Sequence, residues 1–265
     1  CTAYVKPVEA VFRAAQIIRE EKDQPAKPLG TLKIVEADEI PETTVVGKPV
    51  PKVDAAKLVQ GKPAFTADFV PAGTLVAKVL HSPLAHARIK RIDASRARAL
   101  LGVAAVLTWE DLPRVVYSTA GQSDPIPGLL DTFSLDNKVR FVGDRVAFVA
   151  AETEAIAEKA LQLIEVEYEE LPAILDSREA MKPNAPIIHD EPEYVNFADS
   201  DPAHNKAAAI RIDIGNVEQG FLDADRIYEQ EYEVPKVQQA HIEPHVALSY
   251  WDADGRLVIY SSTQV

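Results

Sequence analysis

Val139-Arg-Phe-Val-Gly-Asp-Arg-Val-Ala-Phe-Val-Ala-Ala-Glu-Thr-Glu-Ala-Ile-Ala-Glu-Lys-Ala-Leu-Gln-Leu-Ile-Glu-Val-Glu-Tyr-Glu-Glu-Leu-Pro172 is the stretch whose changing period decides the fold. Residues 146–151 are a short apolar run behind Gly143-Asp144, the pattern of a strand buried on both faces. Thr153 stands where a helix cap belongs. From Glu154 onward, Ile156, Ala160, Leu163 and Ile164 fall at helical spacing among good helix formers, which predicts an amphipathic helix. The period then drops to two. Ile164, Val166 and Tyr168 alternate with Glu165, Glu167 and Glu169 until Pro172, as in a strand with one wet face. Strand, helix and strand in about thirty residues make an α/β unit, with a right-handed crossover if the two strands are parallel.

Working upstream, residues 74–80 and 87–92 read as strands joined by His81-Ser-Pro-Leu-Ala-His86. Asp93 or Ser95 opens a short helix through Leu101, Gly102 closes it, and residues 103–108 resume a strand. Residues 111–137 carry Pro113, Pro125, Pro127, Gly121 and Gly128 and read as a surface excursion. Residues 64–180 are therefore expected to form one α/β domain. Before it, residues 4–19 have helical apolar spacing at Val8, Val11, Phe12, Ala15 and Ile18, and proline-rich residues 21–63 read as an extended linker. After it, residues 181–211 form an extended connection; a structureless stretch of that length is expected to wrap over another domain or subunit. Residues 212–265 start a second sheet, with strands at 226–234, 246–251 and 257–262 and a hairpin turn at Asp252-Ala-Asp-Gly255. The fold class is α+β or mixed α/β.

The 265 residues, 47% hydrophobic, suffice for one large or two ordinary domains. A net charge of −13 leaves no basic stripe to neutralise phosphates, so no nucleic-acid partner is expected. No run approaches the length of a membrane span and no secretory leader is visible. A single cysteine cannot form an internal disulfide, which fits a reducing, cytoplasmic setting. The first residue is not Met and the last follows a strand-like run, so a piece of a larger polypeptide is expected.

Few side chains suggest chemistry by spacing alone. His241-Ile-Glu-Pro-His245 invites a metal reading, but Pro244 opposes a helix, and in a strand the two histidines lie about 13 Å apart. The favoured reading there is structural or pocket-lining, with an unrelated hydrolase using His241 and Glu243 as a distant rival. His81 and His86 read as solvated loop histidines, and the acidic run 165–170 as a solvated strand face. No phosphate loop, dinucleotide fingerprint or nucleophile elbow occurs.

Three segments together resemble the molybdenum hydroxylases, the xanthine dehydrogenase and aldehyde oxidoreductase family. Cys1-Thr-Ala-Tyr-Val-Lys-Pro resembles the end of the family's Cys-x-Cys-Thr-Gly-Tyr segment, with Ala3 replacing the usual Gly. Gly61-Lys-Pro-Ala-Phe-Thr-Ala-Asp68, Leu80-His-Ser-Pro-Leu-Ala-His-Ala-Arg-Ile89, Val142-Gly-Asp144 and Val166-Glu-Tyr-Glu-Glu-Leu-Pro172 resemble its hammerhead α/β domain. Ala240-His-Ile-Glu-Pro-His-Val-Ala247 followed by Ser262-Thr-Gln264 resembles the opening of its molybdopterin-binding domain.

That resemblance implies an order of domains. Residues 1–20 would be the end of an all-α [2Fe-2S] domain, 64–180 the hammerhead domain and 212–265 the first strands of the molybdopterin-binding domain. It implies Cys1 as the last cluster ligand, Gln264 as a catalytic and cofactor-binding residue near molybdenum, and Glu243-Pro244 as pocket support. The expected activity is hydroxylation of an aldehyde or N-heteroaromatic substrate with water-derived oxygen, electrons leaving through [2Fe-2S]. The catalytic glutamate and the other cluster ligands would lie outside these residues. Residues 21–63 are too short to hold a flavin domain, so FAD, where used, is expected on a separate subunit. Other expected partners are the rest of the molybdopterin-binding polypeptide, a small-molecule substrate and a second copy in a homo-oligomer, with no membrane. The competing reading is a non-catalytic scaffold or assembly module of such a complex.

Overall fold

Strand β5 (Arg145–Ala151) is the spine of the larger unit, flanked on both edges by antiparallel neighbours in the order β1-β5-β3. Its partners are β1 (Val76–His81) and β3 (Val103–Leu107), and Val146, Ala147, Val149 and Ala151 are all buried. A strand central in its sheet and covered by a helix has no wet face, which is why its sequence is continuously apolar. The structure, a computed structural model, describes residues 5–20, 44–45, 47–119, 130–195, 199–209, 211–238 and 240–263.

Helix α4 (Glu154–Leu161) follows β5 at once. Thr153 caps it, its Oγ1 accepting the amide of Ile156 at 3.3 Å. Ala157 and Ala160, both fully buried, let the helix lie close against the sheet. β6 (Glu165–Glu170) shows the predicted alternation, with Val166 and Tyr168 half-buried and every glutamate exposed. It does not pair with β5. It joins β2 (Ala87–Asp93) and the short β4 (Lys138–Val139) in a second antiparallel sheet, ordered β4-β2-β6. Helix α4 thus carries the chain from one sheet to another, and no parallel crossover forms. The sheets meet over one core, where Leu80, Ile92 and Val166 touch both buried clusters.

Helix α3 (Ser95–Arg98) is shorter than its sequence pattern implies, and Asp93 accepts the amide of Ser95 at its start. Gly102 follows in the left-handed region (φ +87°), and a Cβ there would lie 2.7 Å from Ile156 Cδ1. Only glycine meets both demands without strain. The turn at Val142-Gly143-Asp144 is equally specific. Asp144 accepts the amides of Arg140 and Arg145, both at 2.9 Å, while the Ser82 amide donates to its carbonyl at 2.8 Å.

Several expectations are corrected. Phe133, Leu135 and Asp136 are buried in the interior rather than lying on a surface excursion, while Ser134 between them is exposed. Arg226–Val234 forms no strand, and its Tyr228 and Tyr232 are exposed; strand spacing makes no strand without a neighbour to complete its ladder. β7 (Ala247–Trp251) and β8 (Leu257–Ser261) form the expected hairpin. Within residues 181–195, Val195 pairs with Leu130 of the same unit. Helix α5 (Ser177–Ala180) precedes this stretch and α6 (Val217–Asp223) lies between it and the hairpin.

The smaller unit, Cys1–Ala64, contains α1 (Val5–Glu20), as its spacing predicts, and a short α2 (Ala55–Val59) inside the stretch read as linker.

Candidate functional site

Cys1 and Gln264 both lie outside the described residues. What the structure does describe is the frame that leads to Gln264. Ser262 leaves β8 with its hydroxyl donating to the Pro244 carbonyl at 2.9 Å and accepting the Val246 amide at 2.9 Å. Its own amide donates to the Val246 carbonyl at 3.1 Å. One serine therefore binds the Ser-Thr-Gln segment to the Ile-Glu-Pro-His segment 18 residues earlier. A hydroxyl that both donates and accepts fixes the exit of the chain more firmly than a backbone ladder alone.

His241 and His245 are also closer than strand geometry implies. The segment turns, and their ring centroids stand 5.0 Å apart. Both are solvent-exposed, and among the described residues no group of three or more His, Cys, Asp or Glu side chains could hold a metal ion.

Beside Val246 opens a groove of about 700 Å³ between β7 and the loop that leads into β1, lined by apolar side chains including Phe69, Val70, Leu75, Val76 and Leu248. At this end of the unit Phe69 stacks on Tyr260 at 6.1 Å, and Tyr260 on Tyr250 at 6.3 Å. The Tyr260 hydroxyl, hydrogen-bonded to that of Tyr250, and partial desolvation hold the Tyr250 hydroxyl above its ordinary pKa. This end offers shape and apolar contact.

A second constellation was not legible in the sequence. Lys138, with 1% of its side chain exposed, pairs with Asp190 and lies 3.4 Å from Glu191. Arg140 reaches Glu191 at 2.6 Å and Asp136 at 2.9 Å. Arg114 reaches Asp136 at 2.7 Å and Glu193 at 2.9 Å. Lys138 holds the Asp190 carboxyl below the ordinary carboxylate range despite opposing desolvation, and Arg114 does the same for Glu193. Nothing in the spacing of these residues predicts the network, because its halves lie some fifty positions apart. His86, read as a solvated loop residue, is buried, its Nδ1 donating to the Pro172 carbonyl at 2.8 Å. His81 is exposed and lies 2.7 Å from the Gly143 carbonyl.

Comparison with known proteins decides the family. The aldehyde oxidase and xanthine dehydrogenase a/b hammerhead domain matches residues 60–172, and the molybdopterin cofactor-binding domain matches residues 198–265. The chain belongs to the molybdenum hydroxylase family. This molybdenum hydroxylase chain is 44% identical over 246 residues to a probable hypoxanthine oxidase of Escherichia coli, covering 83% of this chain and 26% of that protein. It is 36% identical over 218 residues to a xanthine dehydrogenase molybdenum-binding subunit of Escherichia coli, covering 81% of this chain and 27% of that one. Among solved structures, the aldehyde oxidoreductase from Desulfovibrio gigas is similar over 99% of this chain and 28% of its own, with 28% identity and a TM-score of 0.64. The chain thus spans about a quarter of the relatives it matches. No helix among its described residues is long and apolar enough to cross a membrane.

Proposed function

We infer that these residues serve a molybdenum-dependent oxidoreductase that hydroxylates an aldehyde or N-heteroaromatic substrate with oxygen derived from water. The observation that carries this reading is the bonding of Ser262 to Pro244 and Val246, which brings the two segments of the molybdopterin-domain resemblance to one place. Bound molybdenum cofactor would supply the oxygen transfer and take up the substrate's electrons, and [2Fe-2S] would pass them on. The described residues fit support rather than ligation: a serine-pinned hairpin that ends two residues before Gln264 in sequence, and an apolar groove beside it. Cys1 would complete a cluster whose other ligands lie elsewhere.

The relatives' names include a molybdenum-binding subunit, which supports an assembly of several chains. We place FAD on such a partner, the holoenzyme in the cytoplasm, and two or more copies in the complex.

Metal analysis with a visible spectrum on the natively purified full-length protein tests the reading, followed by turnover of aldehydes and N-heteroaromatics in ¹⁸O-labelled water. Molybdenum, iron at roughly two to four atoms per complex, and label in the product are expected. A species without either metal would leave these residues a scaffold.

A further inference from the structure

The network around Lys138 and Arg140 has an unusual composition for a structural attachment. Residues 188–195 are held to the domain beneath them, yet none of their apolar side chains belongs to its buried core. Val195 is 46% exposed. What holds them is charge: Asp190 to Lys138 and, at 3.5 Å, to Arg88; Glu191 to Arg140; Glu193 to Arg114. Tyr194 adds a stack on Phe133 at 5.5 Å and carries Arg140 over its ring at 5.6 Å, and a pair of backbone hydrogen bonds joins Val195 to Leu130.

Both ends of the segment are fastened separately. At the start, the Ile188 amide donates to Asn205 Oδ1 at 2.8 Å, and Asn205 Nδ2 donates to the Pro186 carbonyl at 2.9 Å. At the other end sits the Leu130–Val195 bridge. Between them, Ile188 and His189 form one wall of a cavity of about 290 Å³ whose other walls include Phe133, Leu135 and Arg145. A segment attached by charge over a cavity, with little buried apolar area of its own, has the makings of a locally opening unit.

We propose that residues 188–195 are a charge-latched strap that opens as one unit while the β1-β5-β3 sheet stays folded, and that its opening uncovers the cavity beneath Ile188 and His189. The latch is the pairing of Lys138 and Arg140 with Asp190 and Glu191. This does not depend on the molybdenum chemistry, because it concerns only contacts within this unit.

Hydrogen exchange read by mass spectrometry on the full-length polypeptide tests it. In the wild type, peptides spanning 188–195 should exchange at least about tenfold faster than those spanning 145–151. Lys138→Met should accelerate the strap by about a further tenfold and β5 by no more than that, because the latch is lost in the unfolded chain as well, so the strap still exchanges faster than β5. Should that variant fold poorly, Glu193→Gln removes only the half-exposed partner of Arg114, and a few-fold acceleration of the strap is expected. Equal protection of strap and β5 in the wild type, or a strap whose exchange neither variant accelerates, would overturn the proposal.

Discussion

The ammonium of Lys138, almost wholly withdrawn from solvent, finds its counter-charge on Asp190, 52 residues further along the chain. A buried cation without such a partner would be strongly destabilising, so the pair ties the fate of β4 to that of the segment beyond α5. Arg140, two residues on, repeats the arrangement with Glu191.

Arg140→Met should therefore destabilise the protein by about 3–5 kcal/mol, because Glu191, 8% exposed, would keep only Lys138 at 3.4 Å. The double variant Arg140→Met/Glu191→Met should recover most of that loss, since it removes the stranded carboxylate as well. Urea unfolding of both variants checks this; a double variant as unstable as the single one would show that shape, not charge, carries the contact.

His189 gives the stability a definite dependence on pH. Partial desolvation of its ring, which packs on Tyr194 at 5.4 Å although the residue remains exposed, holds its pKa below the ordinary imidazole value, and nearby Arg140 adds to the effect. The unfolded chain then binds a proton at a pH where the folded one does not, so stability falls as pH drops through about 6.5 toward the lowered folded value. His189→Gln should flatten that part of the profile. Coincident profiles for wild type and variant between about pH 5 and 7 would remove His189 as the cause.

His86→Ala should cost about 1–3 kcal/mol in thermal or urea denaturation, because it leaves the Pro172 carbonyl without its donor at the end of β6. A solvated loop histidine would give a change within about 0.5 kcal/mol. The size of the effect thus separates the two placements.

For the cofactors, Cys1→Ala in the full-length protein should lower [2Fe-2S] content, and Gln264→Ala should reduce turnover with little loss of molybdenum. Unchanged iron and visible spectrum in the first, or wild-type kinetics in the second, would take that residue off the site.

Reading the sequence reached the strand-helix-strand unit because period and burial are local consequences of one another there. An all-apolar β5, a Thr153 cap and an alternating β6 each follow from residues within a few positions. It did not reach sheet membership, since β5 and β6 have the same local patterns whether they pair with each other or with strands elsewhere. Cys1 and Gln264 were singled out by motif alone. The serine of the same motif, Ser262, could have been noticed, but its bonds to Pro244 and Val246 join residues whose proximity depends on the turn at 241–246.

Local chemistry, then, was determined by the sequence itself: which segments are helix or strand, where the acidic face lies, and the motifs that mark the family. Tertiary structure alone decided which distant charges meet. Lys138, Arg140, Asp190 and Glu191 look like ordinary surface residues in a chain of net charge −13. The burial of Lys138, Arg140 and Glu191 is stable only because folding supplies each with its opposite across fifty residues, and electrostatic pairing of that range leaves no periodic trace.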